Sequence, residues 1–280
     1  MLQKSYDNSP TLFLVPTPIG NLKDITLRAK EVLSSVSVVF AEDTRVTTEL
    51  LNSLGIKNKV LSCHKFTEAK SSVQIIDYLK SGNNVALVTD RGTPLISDPG
   101  SLVVQNVVNA GFNVVALPGA CAFIPALNMS GLDQDKFIFY GFLDQKDSKA
   151  IDELKLIKNF KYTTVIYESP HRLAKTLRNM LDVLGNKNIT ISREISKVYE
   201  EVFRGNISEA INVYKEVKGE IVICIEKSSD EIDYSALLDE VLELINLGLK
   251  GADALKFVSK KYNASKNILY NMLEERKKWN

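Results

Sequence analysis

Two carboxylates and an arginine follow an apolar run that is typical of a buried strand. The run is Ser37–Ala41, and Glu42, Asp43, Thr44 and Arg45 come directly after it. A carboxylate at a strand end can accept a proton from a substrate, and a guanidinium can bind a phosphate through two hydrogen bonds or lower the pKa of a neighbouring carboxylate. We therefore predict that Glu42, Asp43 and Arg45 are catalytic, with Glu168 and His171 as further candidates for the base. A structural Asp43–Arg45 pair and a solvated loop are the alternatives.

A turn rich in Gly, Pro and Asp follows a second apolar strand within Asn84–Gly100. Open α/β sheets bind ligands where their parallel strands end, so this turn is placed to contact a ligand. Gly92 permits a close approach of a ligand to the backbone, while Asp90 and Thr93 provide hydrogen-bonding groups. The same composition also fits an ordinary surface connection.

A third strand end carries Glu168, Ser169 and Pro170, and a helix is predicted to begin there because proline suits the first helical position. His171 and Arg172 then fall in the first helical turn, where the helix dipole disfavours a cation. This placement favours a role in binding an anion. A solvated arginine and a packed histidine explain it equally well.

These residues need a scaffold, and the first 119 residues predict one of alternating strands and helices. Helices are predicted after Asp24, over Ser72–Ser81 and over Ser101–Ala110, between strands at Leu12–Val15, Ser37–Ala41, Asn84–Thr89 and Asn113–Leu117. The second half repeats this class, with a helix over Pro170–Leu184 and strands at Phe137–Tyr140, Thr163–Tyr167, Thr190–Ser192 and Ile221–Ile225. Neither a G-x-G-x-x-G fingerprint nor a phosphate-binding G-x-x-x-x-G-K-[ST] loop is present.

The C-terminal end differs from the rest in charge. Ser228–Tyr234 is a polar, acidic linker, and the residues after it predict three helices, the last with Ile268, Leu269, Met272 and Leu273 facing inward. From Lys256 to Asn280 there are seven Lys and Arg against two Glu. This predicts a basic, helix-turn-helix-like unit that contacts phosphates, although cations at a helix C-terminus are favoured anyway. We expect domains at 1–119, 120–227 and 228–280.

Composition narrows the class of protein. The 280 residues carry a net charge of +1, so no global basic field indicates a nucleic-acid partner. Three separated cysteines and two histidines argue against a disulfide framework, a structural zinc site and any multi-histidine metal centre, so we expect no metal. No secretory signal or membrane-spanning run is evident, and we expect a cytoplasmic protein.

Five motifs in this order resemble one family, the ribosomal RNA small-subunit methyltransferase I family of cytidine 2′-O-methyltransferases within the tetrapyrrole-methylase superfamily. The resemblance covers roughly Leu12–Lys227, and the basic helices are similar to that family's C-terminal extension. The motifs are Val15–Leu22, Ala41–Arg45, Asp90–Gly100, Leu117–Gly119 and Glu168–Arg172. Two residues depart from the family pattern, because Arg91 stands where an alanine is usual and Ala120 where a proline is usual.

The resemblance implies an α/β protein with two α/β domains of the tetrapyrrole-methylase type, S-adenosylmethionine in the cleft between them, and a small C-terminal helical extension. It also implies a homodimer that methylates a cytidine ribose in the decoding region of 16S rRNA, either free or in the assembled small subunit. His171 and Arg172 are expected to bind this substrate. The residues implied in cofactor binding are Pro18, Gly92, Thr93, Ile96, Cys121, Ala122, Glu168 and Gly205.

Two other functions are compatible with the same fold. One is methylation of a tetrapyrrole carbon, which would explain neither the basic tail nor the Glu42–Arg45 cluster. The other is a non-catalytic RNA-binding protein, which would not require intact cofactor turns. Methyl transfer to a ribose hydroxyl remains the primary prediction, and it requires orientation of the reactants and a positioned base.

Overall fold

The computed structural model describes residues 3–4, 7–228, 234–262 and 264–278, with the side chains of Lys277 and Lys278 excepted. The chain divides into two compact units, Met1–Ser228 and Ser229–Asn280. Within the described residues, no helix combines the length and the apolar character needed to cross a bilayer.

The first unit begins with a five-stranded sheet in which every neighbouring pair of strands is parallel. Its order is β3-β2-β4-β1-β5. The strands are β1 (Thr11–Leu14), β2 (Val38–Ala41), β3 (Val60–Ser62), β4 (Val85–Val88) and β5 (Asn113–Ala116). The inner strands β2 and β4 are buried along their whole length because helices cover both faces of the sheet.

Four helices cover this sheet: α1 (Leu27–Ser35), α2 (Thr44–Ser53), α3 (Glu68–Lys80) and α4 (Ser101–Asn109). α1 and α2 pack on one face through residues such as Leu33 and Leu51, and α3 and α4 on the other through residues such as Leu79 and Val107. The predicted alternation is confirmed here. Edge strand β3 and helix α2 were not predicted, because β3 is short and α2 begins inside the charged cluster that was interpreted as a turn.

A second five-stranded sheet follows, in the order β6-β7-β10-β8-β9. Its strands are β6 (Phe137–Phe142), β7 (Thr163–Glu168), β8 (Asn188–Arg193), β9 (Glu201–Asn206) and β10 (Ile221–Ile225). Only β6 and β7 are parallel, so this half does not simply repeat the first. β9 was missed because its side chains are mostly half-buried and show no apolar run.

Helices again cover both faces. One face packs against α6 (Asp147–Ile157), α7 (Pro170–Leu184) and α8 (Ile207–Val213), and the other packs against α5 (Phe123–Ser130). Strand β10 therefore alternates its isoleucines towards the three helices with Val222 and Cys224 towards α5. Of these helices, only α7 was predicted from the sequence.

The second unit contains α9 (Tyr234–Asn246), α10 (Gly251–Lys261) and α11 (Lys266–Lys278) around one apolar core. The predicted helices are confirmed. Leu269 and Leu273 are buried, but Ile268 is exposed, which corrects its predicted inward position. Most of the predicted linker, residues 229–233, and Asn263 of the predicted turn lie outside the described residues.

Candidate functional site

A cavity of about 570 Å³ opens in the first unit, at the carboxyl ends of the parallel strands. Small-molecule sites have volumes of about 300–1,000 Å³, so its size suits a ligand. From the first sheet to the start of α5, the lining residues are Ile19, Glu42, Val46, Thr89, Asp90, Arg91, Gly92, Thr93, Ile96, Ser97, Asp98, Cys121 and Ala122. The second sheet and its turns contribute Phe142, Tyr167, Glu168, Ser169, Pro170, Ile195, Glu220, Ile221 and Val222.

Two turns that are far apart in sequence are joined at the floor of this cavity. The Thr17 N–H donates to the Gly92 carbonyl at 2.9 Å, and the Gly92 N–H donates to the Thr17 carbonyl at 3.0 Å. The Thr17 hydroxyl also donates to the Thr89 carbonyl, and the Thr93 hydroxyl to the Ala120 carbonyl. These bonds position the turns after β1, β4 and β5 relative to one another.

The turn after β4, which contributes eight of the lining residues, is strained. Leu95 and Ser97 have φ values of 71° and 66°, which non-glycine residues rarely adopt. Such residues cost about 1–3 kcal/mol each and occur preferentially at functional sites. The Glu68 carboxylate supports the end of this turn, because it accepts from the backbone N–H groups of Gly100 and Leu102 where α4 begins.

Three carboxylates, Glu42, Asp90 and Asp98, line one side of the cavity together with Thr89. Burial, with a smaller contribution from the nearby charges of Glu42 and Asp90, raises the pKa of Asp98 to about 6, against the hydrogen bond from Thr89 that lowers it. Burial and the charge of Asp90 likewise raise the pKa of Glu42. Asp98 and Glu42 therefore bind a proton more readily than ordinary surface carboxylates.

We expect Asp98→Asn to stabilise the protein at pH 8 and to change its stability little at pH 4. Because the pKa of Asp98 is raised, the stability that its protonated form contributes is present below about pH 4 and is lost as the pH rises through about 6. Solvent screening of the half-buried carboxyl leaves a gain of about 1–2 kcal/mol at pH 8. Urea unfolding at pH 4 and pH 8 measures the change in the free energy of unfolding, and Asp77→Asn, at an exposed position, is the control. Equal gains at both pH values would contradict the prediction.

The predicted catalytic cluster is divided by the structure. Glu42 lines the cavity, but Asp43 and Arg45 do not. Asp43 is the N-cap of α2, accepts from the Arg45 backbone N–H at 2.8 Å, and pairs with the Arg45 guanidinium at 2.6 Å. These hydrogen bonds lower the pKa of Asp43 to about 2. The structural Asp43–Arg45 alternative is thus the arrangement that forms, and the Arg45 side chain is 88% exposed.

Most residues that the resemblance implied in cofactor binding lie together. Gly92, Thr93, Ile96, Cys121, Ala122 and Glu168 all line the cavity. Pro18 and Gly205 do not line it, although Ile19, next to Pro18, does. Gly205 lies in β9, opposite Ile189 of β8. A Cβ atom at position 205 would lie 2.5 Å from the Glu209 side chain and 2.8 Å from the Phe203 ring, so close side-chain packing explains this glycine.

Glu168 is buried, and its carboxylate is engaged within the protein. It accepts from the Ser169 backbone N–H at 2.7 Å and from the Thr176 hydroxyl, and Arg172 Nε lies 3.6 Å from it. Arg172 also donates to the carbonyls of Leu143 and Asp144. These acceptors account for a cation in the first turn of α7, so the inference of an anion site at Arg172 is not needed.

His171 lies away from the first cavity. It lines a second cavity of about 770 Å³. Neither His171 nor Arg172 lines the first cavity, and Arg172 approaches it only through its pairing with Glu168. The other lining residues of the second cavity are Pro170, Ala174, Arg193, Glu201 and Val213–Lys218.

Several residues that line the first cavity were not predicted. Asp98 was hidden by its position eight residues beyond Asp90 in the same turn, and Tyr167 by its place inside an apolar strand. Val222 lies in β10 and Ile195 in the turn after β8, and both are distant in sequence from the first sheet. A Ser-Asp-Pro-Gly tetrapeptide directly before a helix was the one signal that could have indicated Asp98.

Arg91 lines the cavity and points to an acidic partner that also lines it. Its guanidinium pairs with Glu220, which also accepts from Lys197 at 3.1 Å. Lys197 in turn pairs with Glu194 at 2.8 Å. This network joins the turn after β4 to the residue before β10, and it holds the Arg91 side chain without disturbing the backbone hydrogen bonds between Gly92 and Thr17.

We expect Arg91→Ala to change the free energy of unfolding by less than about 1 kcal/mol. Arg91 and Glu220 are both about half-exposed, and ion pairs of this kind contribute about 0–1 kcal/mol. Chemical denaturation of Arg91→Ala and of Glu220→Gln would measure the effect. A loss above about 2 kcal/mol in either variant would mean that the pair is a structural connection between the sheets.

Comparison with known proteins gives consistent matches along the chain. A model of the family described as Tetrapyrrole (Corrin/Porphyrin) Methylases matches residues 11–211. The ribosomal RNA small subunit methyltransferase I of Bacillus subtilis is 40% identical over 270 residues, which cover 93% of this chain and 92% of that protein. The protein of the same name from Vibrio cholerae is 42% identical over 274 residues and covers 94% of both chains.

Solved structures match in fold. A uroporphyrin-III C-methyltransferase from Thermus thermophilus, complexed with S-adenosyl homocysteine, has a TM-score of 0.57 at 17% identity and covers 77% of this chain and 97% of its own. A cobalt precorrin-4 methyltransferase has a TM-score of 0.57 at 16% identity, and the match covers 81% of this chain and 98% of that protein. At these identities the likeness supports the fold and no finer property.

Proposed function

Since the chain belongs to the tetrapyrrole methylase family and, within it, to the ribosomal RNA small subunit methyltransferase I family, we propose that it methylates small-subunit rRNA with S-adenosylmethionine as methyl donor. We propose further that the acceptor is the 2′-hydroxyl of a cytidine in the decoding region. The observation that carries the proposal is a match at about 40% identity that extends over more than nine-tenths of the chain.

The cavity has the features that this methyl donor needs. Gly92 has φ of +84°, and its missing side chain leaves room for a ligand to approach the turn closely. Ile19, Ile96 and Val222 offer apolar walls, and the carboxylates on the other side offer hydrogen-bond acceptors and negative charge. S-adenosylmethionine supplies an already activated methyl group. The protein must then orient the acceptor hydroxyl, exclude water and receive its proton.

Methyl transfer is the test of the proposal. Labelled S-adenosylmethionine is incubated with unmodified small ribosomal subunits, with free rRNA and with a tetrapyrrole precursor in parallel, and the labelled nucleotide is mapped with nucleases. We expect label in one 2′-O-methylcytidine. Label in the tetrapyrrole would support a C-methyltransferase, and RNA binding without any transfer would support the non-catalytic alternative.

The helices of the second unit are proposed to bind the rRNA backbone. Lys256 and Lys260 are exposed on α10 beside Phe257, a side chain that can stack on an unpaired base. Lys261 is engaged with Glu240 at 2.8 Å and contributes less free charge. Each phosphate contact releases counterions, so binding through these lysines depends on salt.

We expect Lys256→Glu with Lys260→Glu to weaken binding of small-subunit rRNA at least tenfold at physiological salt. The slope of log affinity against log salt concentration should also fall by about 1–2, because two phosphate contacts are lost. Filter binding over a salt series measures both quantities. The control is the double variant Lys70→Glu with Lys80→Glu, which makes the same charge change at two exposed lysines of α3. An equal loss of affinity in this control would indicate non-specific electrostatic attraction.

The protein is proposed to act in the cytoplasm as a homodimer. Large apolar side chains on the described surface support self-association: Phe66, Val198 and Tyr199 are 91%, 94% and 73% exposed. Light scattering of the purified protein should give twice the mass of the 31.2 kDa chain. Val198→Asp with Tyr199→Asp should convert it to the monomer, and an unchanged mass would place the interface elsewhere.

A further inference from the structure

The three cavity carboxylates differ in how they are engaged. Asp90 Oδ1 accepts from the Asp43 backbone N–H at 2.9 Å, which holds the start of α2. Glu42 Oε2 accepts from the Thr89 hydroxyl at 3.2 Å. The same hydroxyl is the hydrogen-bond partner of Asp98. A hydroxyl has one proton to donate, so Thr89 can serve only one of these two carboxylates at a time.

The described residues form no salt bridge to this group, although the charge of His64 acts on Glu42 and that of Arg45 on Asp90. Among the ion pairs of the described residues, none includes Glu42, Asp90 or Asp98. The nearby arginines are engaged elsewhere, Arg45 with Asp43 and Arg91 with Glu220. A half-buried carboxylate without a salt-bridge partner binds a proton more readily than an exposed one.

The backbone presents Asp98 to the cavity. It lies in the strained turn between Ser97, with positive φ, and Gly100, with φ of +127°. The Glu68 carboxylate anchors the end of that turn at the Gly100 N–H. A rigid turn that holds one carboxylate in a ligand cavity is the arrangement a positioned base requires.

We infer that Asp98 is the catalytic base that accepts the proton of the attacking hydroxyl, with Thr89 and Glu42 as positioning residues. The inference rests on the proposed function. An oxygen lone pair of the hydroxyl forms the new O–C bond to the methyl group, and the bonding pair of the broken C–S bond remains on the sulfur of the donor. The O–H proton passes to a carboxylate oxygen of Asp98, so the products are a methyl ether, a neutral thioether and a protonated Asp98.

Electrostatics favours this direction of proton transfer. Asp98 gains affinity for a proton as the reaction proceeds, because the positive charge of the methyl donor is lost from the cavity while the charges of Glu42 and Asp90 remain. The charged groups that the second sheet and its turns present to the cavity are Glu168, which lies beside Arg172, and Glu220, which is paired with Arg91 and Lys197. Tyr167 and Cys121 also line the cavity. Burial raises the pKa of each, so both stay neutral at pH 7. The charge of His64 lowers the pKa of Glu42.

The test combines rates with two readouts that do not depend on methyl transfer. Single-turnover transfer to small subunits is measured from pH 5 to pH 9 for the wild type, Asp98→Asn, Glu42→Gln and the control Asp77→Asn. Affinity for S-adenosylmethionine is measured by calorimetry, and stability is measured against pH as described above. General bases contribute about 10²–10⁴-fold to a rate.

We expect Asp98→Asn to lower the transfer rate at least 100-fold and to abolish the rise of the rate with pH, while donor affinity stays within about threefold. Glu42→Gln should lower the rate less and shift that rise to lower pH, because it removes a negative charge beside Asp98. Asp77→Asn should match the wild type.

Three results would overturn the inference. The first is an Asp98→Asn rate within threefold of the wild type, and the second is a loss of the pH dependence in Glu42→Gln instead. The third is a loss of donor affinity in Asp98→Asn that accounts for the lower rate, which would make Asp98 a binding residue. A wild type that binds S-adenosylmethionine and transfers no methyl group to subunits or rRNA would overturn the proposed function, and this inference with it.

Discussion

Replacement of Glu168 by alanine is expected to lower the free energy of unfolding by about 3–5 kcal/mol, the range for breaking a buried ion pair from one side. The Glu168 side chain is 1% exposed, and its carboxylate accepts hydrogen bonds from Ser169 and Thr176. Alanine would leave these donors without their acceptor and Arg172 without its counter-charge. Urea denaturation with an intrinsic fluorescence probe measures the loss.

The conservative variant separates structural support from direct contact with a ligand. Glu168→Gln keeps an acceptor for the Ser169 N–H and should lose clearly less stability than Glu168→Ala. The resemblance implied that Glu168 contacts the cofactor, and the structure also places it in the cavity wall. If its role were confined to ligand contact, both variants would unfold like the wild type and only donor affinity would fall.

Gly92→Val is expected to weaken the affinity for S-adenosylmethionine at least 100-fold, a change of about 2.7 kcal/mol. Gly92 has φ of +84°, which a β-branched residue rarely adopts, and a Cβ atom there would lie 3.3 Å from the Ile19 side chain. The substitution also strains the paired hydrogen bonds between Gly92 and Thr17, which set the cavity floor. Isothermal titration calorimetry would measure the affinity.

Gly82→Val is the matched control for this substitution. Gly82 has φ of +79°, but nothing lies within 4 Å of its Cβ position, and it does not line the cavity. Both variants therefore carry a similar backbone penalty, while only Gly92→Val crowds the site. An equal loss of affinity in the two variants would show that general destabilisation, and not the floor of the cavity, explains the effect.

Local sequence patterns determined the elements that carry the site. Runs such as Val85–Thr89 predict buried strands because helices cover both faces of a parallel sheet. The turn residues after them, including Gly92, Thr93 and Ile96, were predicted to contact a ligand, and they line the cavity. These predictions succeeded because strand burial, turn geometry and helix capping depend mainly on residues close together in the chain.

Tertiary structure decided which charged groups face the cavity. Glu42 and Asp43 are adjacent, yet one lines the cavity and the other caps α2 and holds Arg45, because that helix begins within the cluster. Asp98 joins Glu42 only through the neighbouring positions of β2 and β4, and Val222 reaches the same cavity from the second sheet. The sequence alone could not determine these relations, since strand order and long-range hydrogen bonds such as Thr17 to Gly92 depend on the packing of segments far apart in the chain.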